Sequence, residues 1–222
     1  MQENEVFEIV HQQIKTKALQ KLKPIRVVIN GIEGTGKTVF AQKLTAYLNH
    51  KNANVIHISI DGFHHTKAIR YQQGNDSALG YYEDAYNEQA FVDLVLKNSQ
   101  KEKATIVTAI HNLDTDESID VQPIAISNNT ILITDGAYLL KPIYQPHWDL
   151  IIYLKTDFET ALNRGIQRDA PLLGGIDKAI EKYNNRYHKA SAMYIDLNQP
   201  EQLAHIIIDN TNFNNLIIRL LS

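Results

Sequence analysis

The sequence predicts a three-layer α/β fold: a central, mostly parallel sheet, helices on both faces and a helical lid. Three observations predict it. An apolar run, Ile25 to Ile29, leads through a glycine-rich loop into a helical pattern at Val39, Phe40, Leu44, Tyr47 and Leu48. Further apolar runs recur at residues 55–60, 130–134, 148–154 and 205–208, with helix-like stretches between them, which is the alternation of a parallel sheet. Two helical patterns near the C-terminus flank Gly174-Gly175, a natural hinge.

The chain has 222 residues, enough for one domain with a lid, and its 44% hydrophobic content suffices for one core. A net charge of −3 and a pI of about 6.3 give no sign of a nucleic-acid groove, so any positive field is expected to be local, at the phosphate site. With no cysteine, disulfides, thiol nucleophiles and thiolate metal sites are excluded. No apolar stretch approaches membrane-spanning length, and the acidic start (Glu3, Glu5, Glu8) is unlike a secretory leader. These features lead us to expect a cytoplasmic protein, monomeric or homo-oligomeric, with no nucleic-acid or membrane partner.

Residues 1–23 read as an amphipathic helix through Val6, Ile9, Val10, Ile14, Ala18, Leu19 and Leu22, stopped by Pro24. Gly31-Ile32-Glu33-Gly34-Thr35-Gly36-Lys37-Thr38 then matches G-x-x-x-x-G-K-[ST] between a strand and a helix, the setting a phosphate-binding P-loop requires. The fold class is thereby the P-loop NTPase type. A triphosphate needs many N–H donors aimed at one place. Gly31, Gly34 and Gly36 let the backbone come that close, and the helix start at Thr35, Gly36 and Val39 adds unpaired N–H groups. Lys37 is expected to reach the β- and γ-phosphates of ATP, and Thr38 to ligate Mg²⁺.

Residues 55–60 form the second strand, stopping at Asp61. A carboxylate beyond a strand's carboxyl end can face the phosphates, so Asp61 is the candidate general base for an acceptor hydroxyl. The alternative is a helix N-cap. His64 and His65 read as site-lining or surface residues rather than metal ligands. Residues 64–89 form the candidate acceptor-site segment, polar, rich in tyrosine and weakly periodic. Arg70, Tyr71, Tyr81, Tyr82 and Asp84 suit a planar or sugar-like ligand. Residues 104–110 read as a strand, with 121–126 as its partner, and His111 at the strand's end is placed in the acceptor pocket. Thr130 to Thr134 is a strand ending in Asp135, a Walker B pattern that assigns Asp135 to Mg²⁺ beside Thr38. Thr156 to Asp169 reads as a helix capped by Thr156 or Asp157. Arg164 and Arg168 share one of its faces. A second helix follows over 177–194. Residues 164–190 form the candidate lid, whose Arg168 closes on the transferring phosphoryl group. Asn210, after the strand at 205–208, lies near the P-loop on the adenine side, and 213–221 forms a last helix or strand.

At this point the chain resembles the uridine kinase branch of P-loop kinases, a group that includes phosphoribulokinase and bacterial pantothenate kinase. The resemblance rests on Gly31 to Thr38, Ile60-Asp61-Gly62-Phe63-His64, Tyr82 to Asn87, Ile133 to Gly136, Arg164 to Asp169 and Arg186-Tyr187. It implies an ATP- and Mg²⁺-dependent kinase acting on a small-molecule hydroxyl, with Asp61 as catalytic aspartate, Lys37 and Thr38 at phosphate and metal, and Arg168 as lid arginine. Asp135 stands where that group has glutamate. Its ribose-gripping aspartate falls on Tyr81, and its Tyr-Asp pair falls on His111-Asn112, so the family's pyrimidine nucleoside contacts are not carried over. A nucleoside acceptor leads, with pantothenate-like or sugar-like acceptors and a non-catalytic nucleotide-binding protein as alternatives.

Overall fold

The computed structural model describes residues 1–221. Its centre is a six-stranded sheet. The strands are β1 (Ile25–Asn30), β2 (Asn54–Ser59), β3 (Thr130–Gly136), β4 (Leu150–Lys155), β5 (Ile206–Asp209) and β6 (Ile217–Leu220). They lie in the order β6-β5-β4-β1-β3-β2, all parallel except β6, which runs antiparallel to β5. The three-layer α/β architecture is the one the sequence predicts.

Alternation along the strands sorts the core into two halves. Val27, Ile29, Ile131, Ile133 and Ile152 pack beneath α1 (Glu3–Leu19) and α2 (Lys37–His50), meeting Val6, Phe7, Phe40 and Leu44. Val28, Leu132, Ile151 and Tyr153 face the other way, onto Phe63, Phe91, Tyr138 and Tyr194. With both faces covered, β1 and β3 are buried along their whole length, which explains their nearly unbroken apolar sequence.

Several elements depart from the sequence reading. The first helix ends at Leu19 rather than 23, because Leu19 and Leu22 find no core and remain 89% exposed. The strand expected over 104–110 shrinks to two-residue ribbons. Thr105–Ile106 pairs with Ile124–Ala125, and His111–Asn112 with Glu117–Ser118, both outside the main sheet. The segment 66–89 is partly helical, over Lys67–Arg70 and Ala78–Asp84, the second capped by the Ser77 hydroxyl accepting from Gly80 N at 2.9 Å.

Asp157, not Thr156, caps α3 (Phe158–Leu173), accepting from Thr160 N at 2.7 Å. The helix carries Pro171 in its last turn and stops at Gly174, where φ is 88°. After Gly175 comes α4 (Ile176–Lys182), then a wide π-type turn, Tyr183–Tyr187, and α5 (His188–Asn198). The single helix expected over 177–194 is therefore three joined pieces. Its middle piece aims Tyr183 and Arg186 inward, where both are buried. The chain's last stretch resolves as the strand β6. Among the described residues, no helix is long and apolar enough to cross a membrane.

Candidate active site

Strands β1, β2 and β3 end together. Register places Asp135 beside both Ile29 and Ser59, so a residue one step beyond β1 or β2 emerges next to it. From β1 the chain turns through Gly31–Gly36 into α2. Gly34 has φ 85°, and a Cβ there would collide with the Ala161 backbone of α3. Gly36, the N-cap of α2, has φ 86°. Only glycine tolerates both conditions at Gly34, so the loop is held tightly against α3. Gly31 is buried beneath the loop against the Leu154 carbonyl. Thr35 is also buried, its hydroxyl donating to Ile32 O at 3.0 Å. Asn210, at the end of β5, donates its amide to Thr35 O at 2.7 Å and so ties the loop to the sheet's far side.

Gly34, Gly36, Lys37, Thr38 and Val39 line a cavity of about 320 Å³. Asp61, Asp135 and Arg168 line the same space. The Lys37 ammonium donates to Ile32 O at 2.8 Å and lies 4.0 Å from a Glu33 oxygen. The Thr38 hydroxyl donates to Asp135 Oδ2 at 2.6 Å. His57, on β2, meets the other oxygen, Oδ1, at 2.7 Å, so both oxygens of a carboxylate only 1% exposed are oriented.

No group of three or more His, Cys, Asp or Glu side chains suited to a metal exists among the described residues. Thr38 and Asp135 nonetheless offer two adjacent hard oxygens on the cavity wall. That donor set fits Mg²⁺, which usually takes one or two protein oxygens and fills its shell with phosphate oxygens and water.

Asp61 follows β2 in a short 3-10 turn, Ile60–Phe63. Its side chain is 57% exposed, opening into the cavity. The Tyr86 hydroxyl donates to its Oδ1 at 3.2 Å, and His64 Nε2 stands 3.5 Å from the same atom. The His64 ring stacks on Tyr86 with centroids 4.4 Å apart, and its Nδ1 pairs with Ala85 O at 2.9 Å. Partial removal from water raises the Asp61 pKa. The charge of His64 opposes this, while Glu33 and Asp135 add to it. Burial holds His64 below the usual histidine range.

A second cavity of about 430 Å³ opens beside the first and shares Glu33, Asp61, Arg168 and Asp169 with it. Arg70, Tyr71 and Tyr81 line this space, together with Tyr183 and Tyr187 from the wide turn. Three residues assigned to the acceptor from sequence lie elsewhere. Tyr82 packs on the core side, with Lys141 over its ring at 4.0 Å and its hydroxyl accepting from Asn198 at 2.9 Å. Asp84 accepts from Gln73 at 2.8 Å. His111 is buried near Asp116 in its two-residue ribbon.

Arg164 is likewise outside both cavities. It donates to Asn210 O and Thr211 O, each at 2.9 Å, with its guanidinium 3.6 Å from the Phe213 ring centroid. Arg168 projects into the cleft while gripping Asp169 at 2.6 and 2.9 Å, a pairing that raises its pKa still further. The sequence reading passed over Glu33, His57, Tyr86 and Asp169. The first occupies a position the motif leaves free. Tyr86 and Asp169 fall inside stretches that carry the resemblance, but each, like His57, acquires its place only through a partner outside its own segment or a lid contact.

The phosphoribulokinase / uridine kinase family matches residues 27–216. No curated protein matches the chain in sequence. Among solved structures, a possible uridine kinase from Bacillus stearothermophilus aligns with a TM-score of 0.66 at 19% identity, covering 89% of this chain and 98% of that one. The YGR205w protein aligns at 0.70 with 12% identity over the whole of both chains. A D-glycerate 3-kinase from Cryptococcus neoformans gives 0.63 at 10% identity, covering 97% of this chain and 99% of its own. At these identities the structural likeness is one of fold.

Proposed function

The chain belongs to the phosphoribulokinase / uridine kinase family and is a P-loop kinase; on that premise we propose that it moves the γ-phosphoryl of ATP to a hydroxyl of a small metabolite, with a nucleoside as the leading acceptor. One observation carries the reading: Lys37, Thr38, Asp61, Asp135 and Arg168, scattered over 132 residues of sequence, line one cavity at the ends of three parallel strands. A protein that only held a nucleotide has no use for Asp61 or Arg168 there.

In this reading the loop amides of Gly34 to Val39 hold the phosphates, and Lys37 leaves Ile32 O to reach them. Thr38 and Asp135 would hold Mg²⁺, which when bound would neutralise charge on the phosphate oxygens. Asp61 takes the proton of the acceptor hydroxyl as its oxygen bonds to the γ-phosphorus. The bond from that phosphorus to the β,γ-bridging oxygen breaks, and ADP leaves. Arg168 covers the transferring group from α3, and closure of residues 164–190 excludes water that would otherwise compete. Most of the rate then comes from positioning and charge neutralisation. Among the described residues, Glu33, Asp61 and Asp169 are the carboxylates that line both cavities; Glu33 accepts from Tyr81 and Asp169 is forked by Arg168, which supports Asp61, at the end of β2, as the base over a structural cap. The reading places the protein in the cytoplasm, with a small-molecule acceptor as its partner.

The test is Asp61→Asn assayed by ADP release against nucleosides, sugars and pantothenate, with ATP binding measured separately. The expected result is intact ATP binding and loss of acceptor phosphorylation. Turnover equal to that of the unmodified protein overturns the assignment of the base. A non-nucleoside acceptor is the second reading. It is favoured by the absence of Tyr82, Asp84 and His111 from the acceptor cavity.

A further inference from the structure

We propose that Glu33 selects the acceptor by charge, so that the acceptor offers hydroxyl or ammonium hydrogens to this carboxylate and carries no acidic group. The inference rests on the kinase reading above and concerns the same cleft.

Glu33 sits within the phosphate-binding loop and lines both cavities. Its side chain is 14% exposed, held by the Tyr81 hydroxyl donating to Oε1 at 2.9 Å. The Tyr81 phenol pKa is driven well above its ordinary value, by burial first and by Glu33 next, so it stays a donor. A carboxylate at this point opposes the triphosphate beside it. Its Oε2 lies 4.0 Å from the Lys37 ammonium, a pairing that weakens once Lys37 turns to the phosphates, and the side chain borders the second cavity as well as the first.

The cations of that cavity are already committed. Arg168 is forked onto Asp169. Arg70 donates to Asp116 at 3.0 Å. Arg186 gives its N–H groups to the carbonyls of Gly74, Asn75 and Ser77 at 3.1 Å and of Arg70 at 2.9 Å. Among the described residues, Lys67 on the rim is the lining lysine or arginine whose side chain has neither an ion pair nor a hydrogen bond, whereas Arg186 has no ion pair but spends its donors on carbonyls. Recognition of a carboxylate or phosphate needs free fork donors, and the arginines here have little left to offer. Glu33 and Asp61, by contrast, line the space with no arginine paired to them, their nearest basic groups being Lys37 at 4.0 Å and His64 at 3.5 Å. An acidic acceptor would bring like charge against them.

The experiment is steady-state ADP release by the full chain with charge-matched acceptors: serinol, glycerol and glycerate; panthenol and pantothenate; uridine and orotidine. In whichever set is turned over, kcat/KM of the neutral or cationic member is expected to exceed that of the acid by at least about tenfold, the scale of one charged hydrogen bond. Glu33→Gln is expected to raise the acceptor KM by a similar factor while leaving the ATP KM unchanged or lower, because a charge opposing the phosphates has gone. Glu33→Asp should recover part of the acceptor KM. A loop damaged structurally would instead raise both KM values together. That outcome, or an acid turned over as well as its neutral counterpart, overturns the proposal. If the unmodified protein binds ATP yet releases ADP no faster than Asp61→Asn with every compound, the kinase reading itself has failed and this inference falls with it.

Discussion

The nucleotide side and the acceptor side of the cleft are built by different means. Around Gly31–Lys37 the phosphate loop is shaped mainly by short-range or backbone contacts: Thr35 and Lys37 both return to Ile32 O, and Gly34 rests on the Ala161 backbone, with the long-range side-chain bond left to Thr38 and Asp135 at the metal position. Around residues 70–81 the contacts are long-range and made by side chains. Arg186, only 1% exposed, reaches back more than a hundred residues to four carbonyls. Tyr81 reaches Glu33, and Lys182 reaches Asp76 and the Asn75 carbonyl. A phosphate tail makes the same demand of every protein that binds one, and a backbone loop can meet it. An acceptor's shape is particular, and side chains from separate segments must converge on it.

The sharpest way to break that contrast is at the residue shared by both halves. Asp61→Asn should lower acceptor turnover by about 10²–10⁴-fold, the usual worth of a positioned general base, with ATP affinity unchanged by calorimetry. A parallel loss of ATP binding would mean the two sides are not separable. The pH dependence has a definite sign. Asp61 acts ionised, and its pKa is raised above the ordinary 3.8, so activity falls as pH drops through a value above 3.8. That acid limb should vanish from whatever activity Asp61→Asn retains. Stability follows the opposite sense. A carboxyl whose folded pKa lies above its unfolded one favours the fold when protonated and costs stability as pH rises through the folded value. Asp61→Asn should therefore resist denaturant better at neutral pH, with the gain disappearing in acid.

Next in size is the clamp on the acceptor side. Arg186→Met keeps the volume and strips the donors from four carbonyls. It should cost roughly 2–4 kcal/mol in a denaturant melt, given the strength of charged hydrogen bonds and the partial solvation of the freed carbonyls. The acceptor KM should rise while the ATP KM holds. If the ATP KM rises equally, the clamp serves the whole cleft rather than one half.

The same contrast governs what could be read from sequence. The strands β1, β3, β4 and β5 were legible because burial on both faces demands unbroken apolar runs. The P-loop was legible because its glycines answer a backbone requirement. Tyr81 and Tyr82 were both assigned to the acceptor, yet neighbours on a helix point about 100° apart and only one can face the cavity. Tyr81 does; Tyr82 turns to Lys141 and Asn198. His57 lies within a strand read as a whole from sequence, and its use appears only once β3 brings Asp135 alongside. The strand expected over 104–110 had apolar residues enough. In the structure β2 forms the sheet's border, and within the expected strand only Thr105–Ile106 finds a partner, outside the main sheet.

The smallest effect tests whether the two sides are joined by a rigid element. Helix α3 begins beside the P-loop, where Ala161 meets Gly34, and ends in the lid with Arg168 and Leu172 on the cavity wall. Its start depends on Asp157, whose oxygens accept from Thr160 N at 2.7 Å and from the Thr160 hydroxyl at 2.8 Å. Those bonds depress the Asp157 pKa, so the cap is present at neutral pH and weakens only in acid. Asp157→Ala should cost about 1 kcal/mol, a melting point lower by a few degrees for a chain this long. Fraying one turn at the far end should leave Arg168 in place, because Gly165 lies against the Tyr183 ring and pins the middle of the helix. Acceptor turnover is thus expected within about twofold of normal, well under the loss of one hydrogen bond at the reacting group. A larger drop would mean that α3 carries strain from the phosphate loop to the lid, and that the two halves of the cleft are coupled through its first turn.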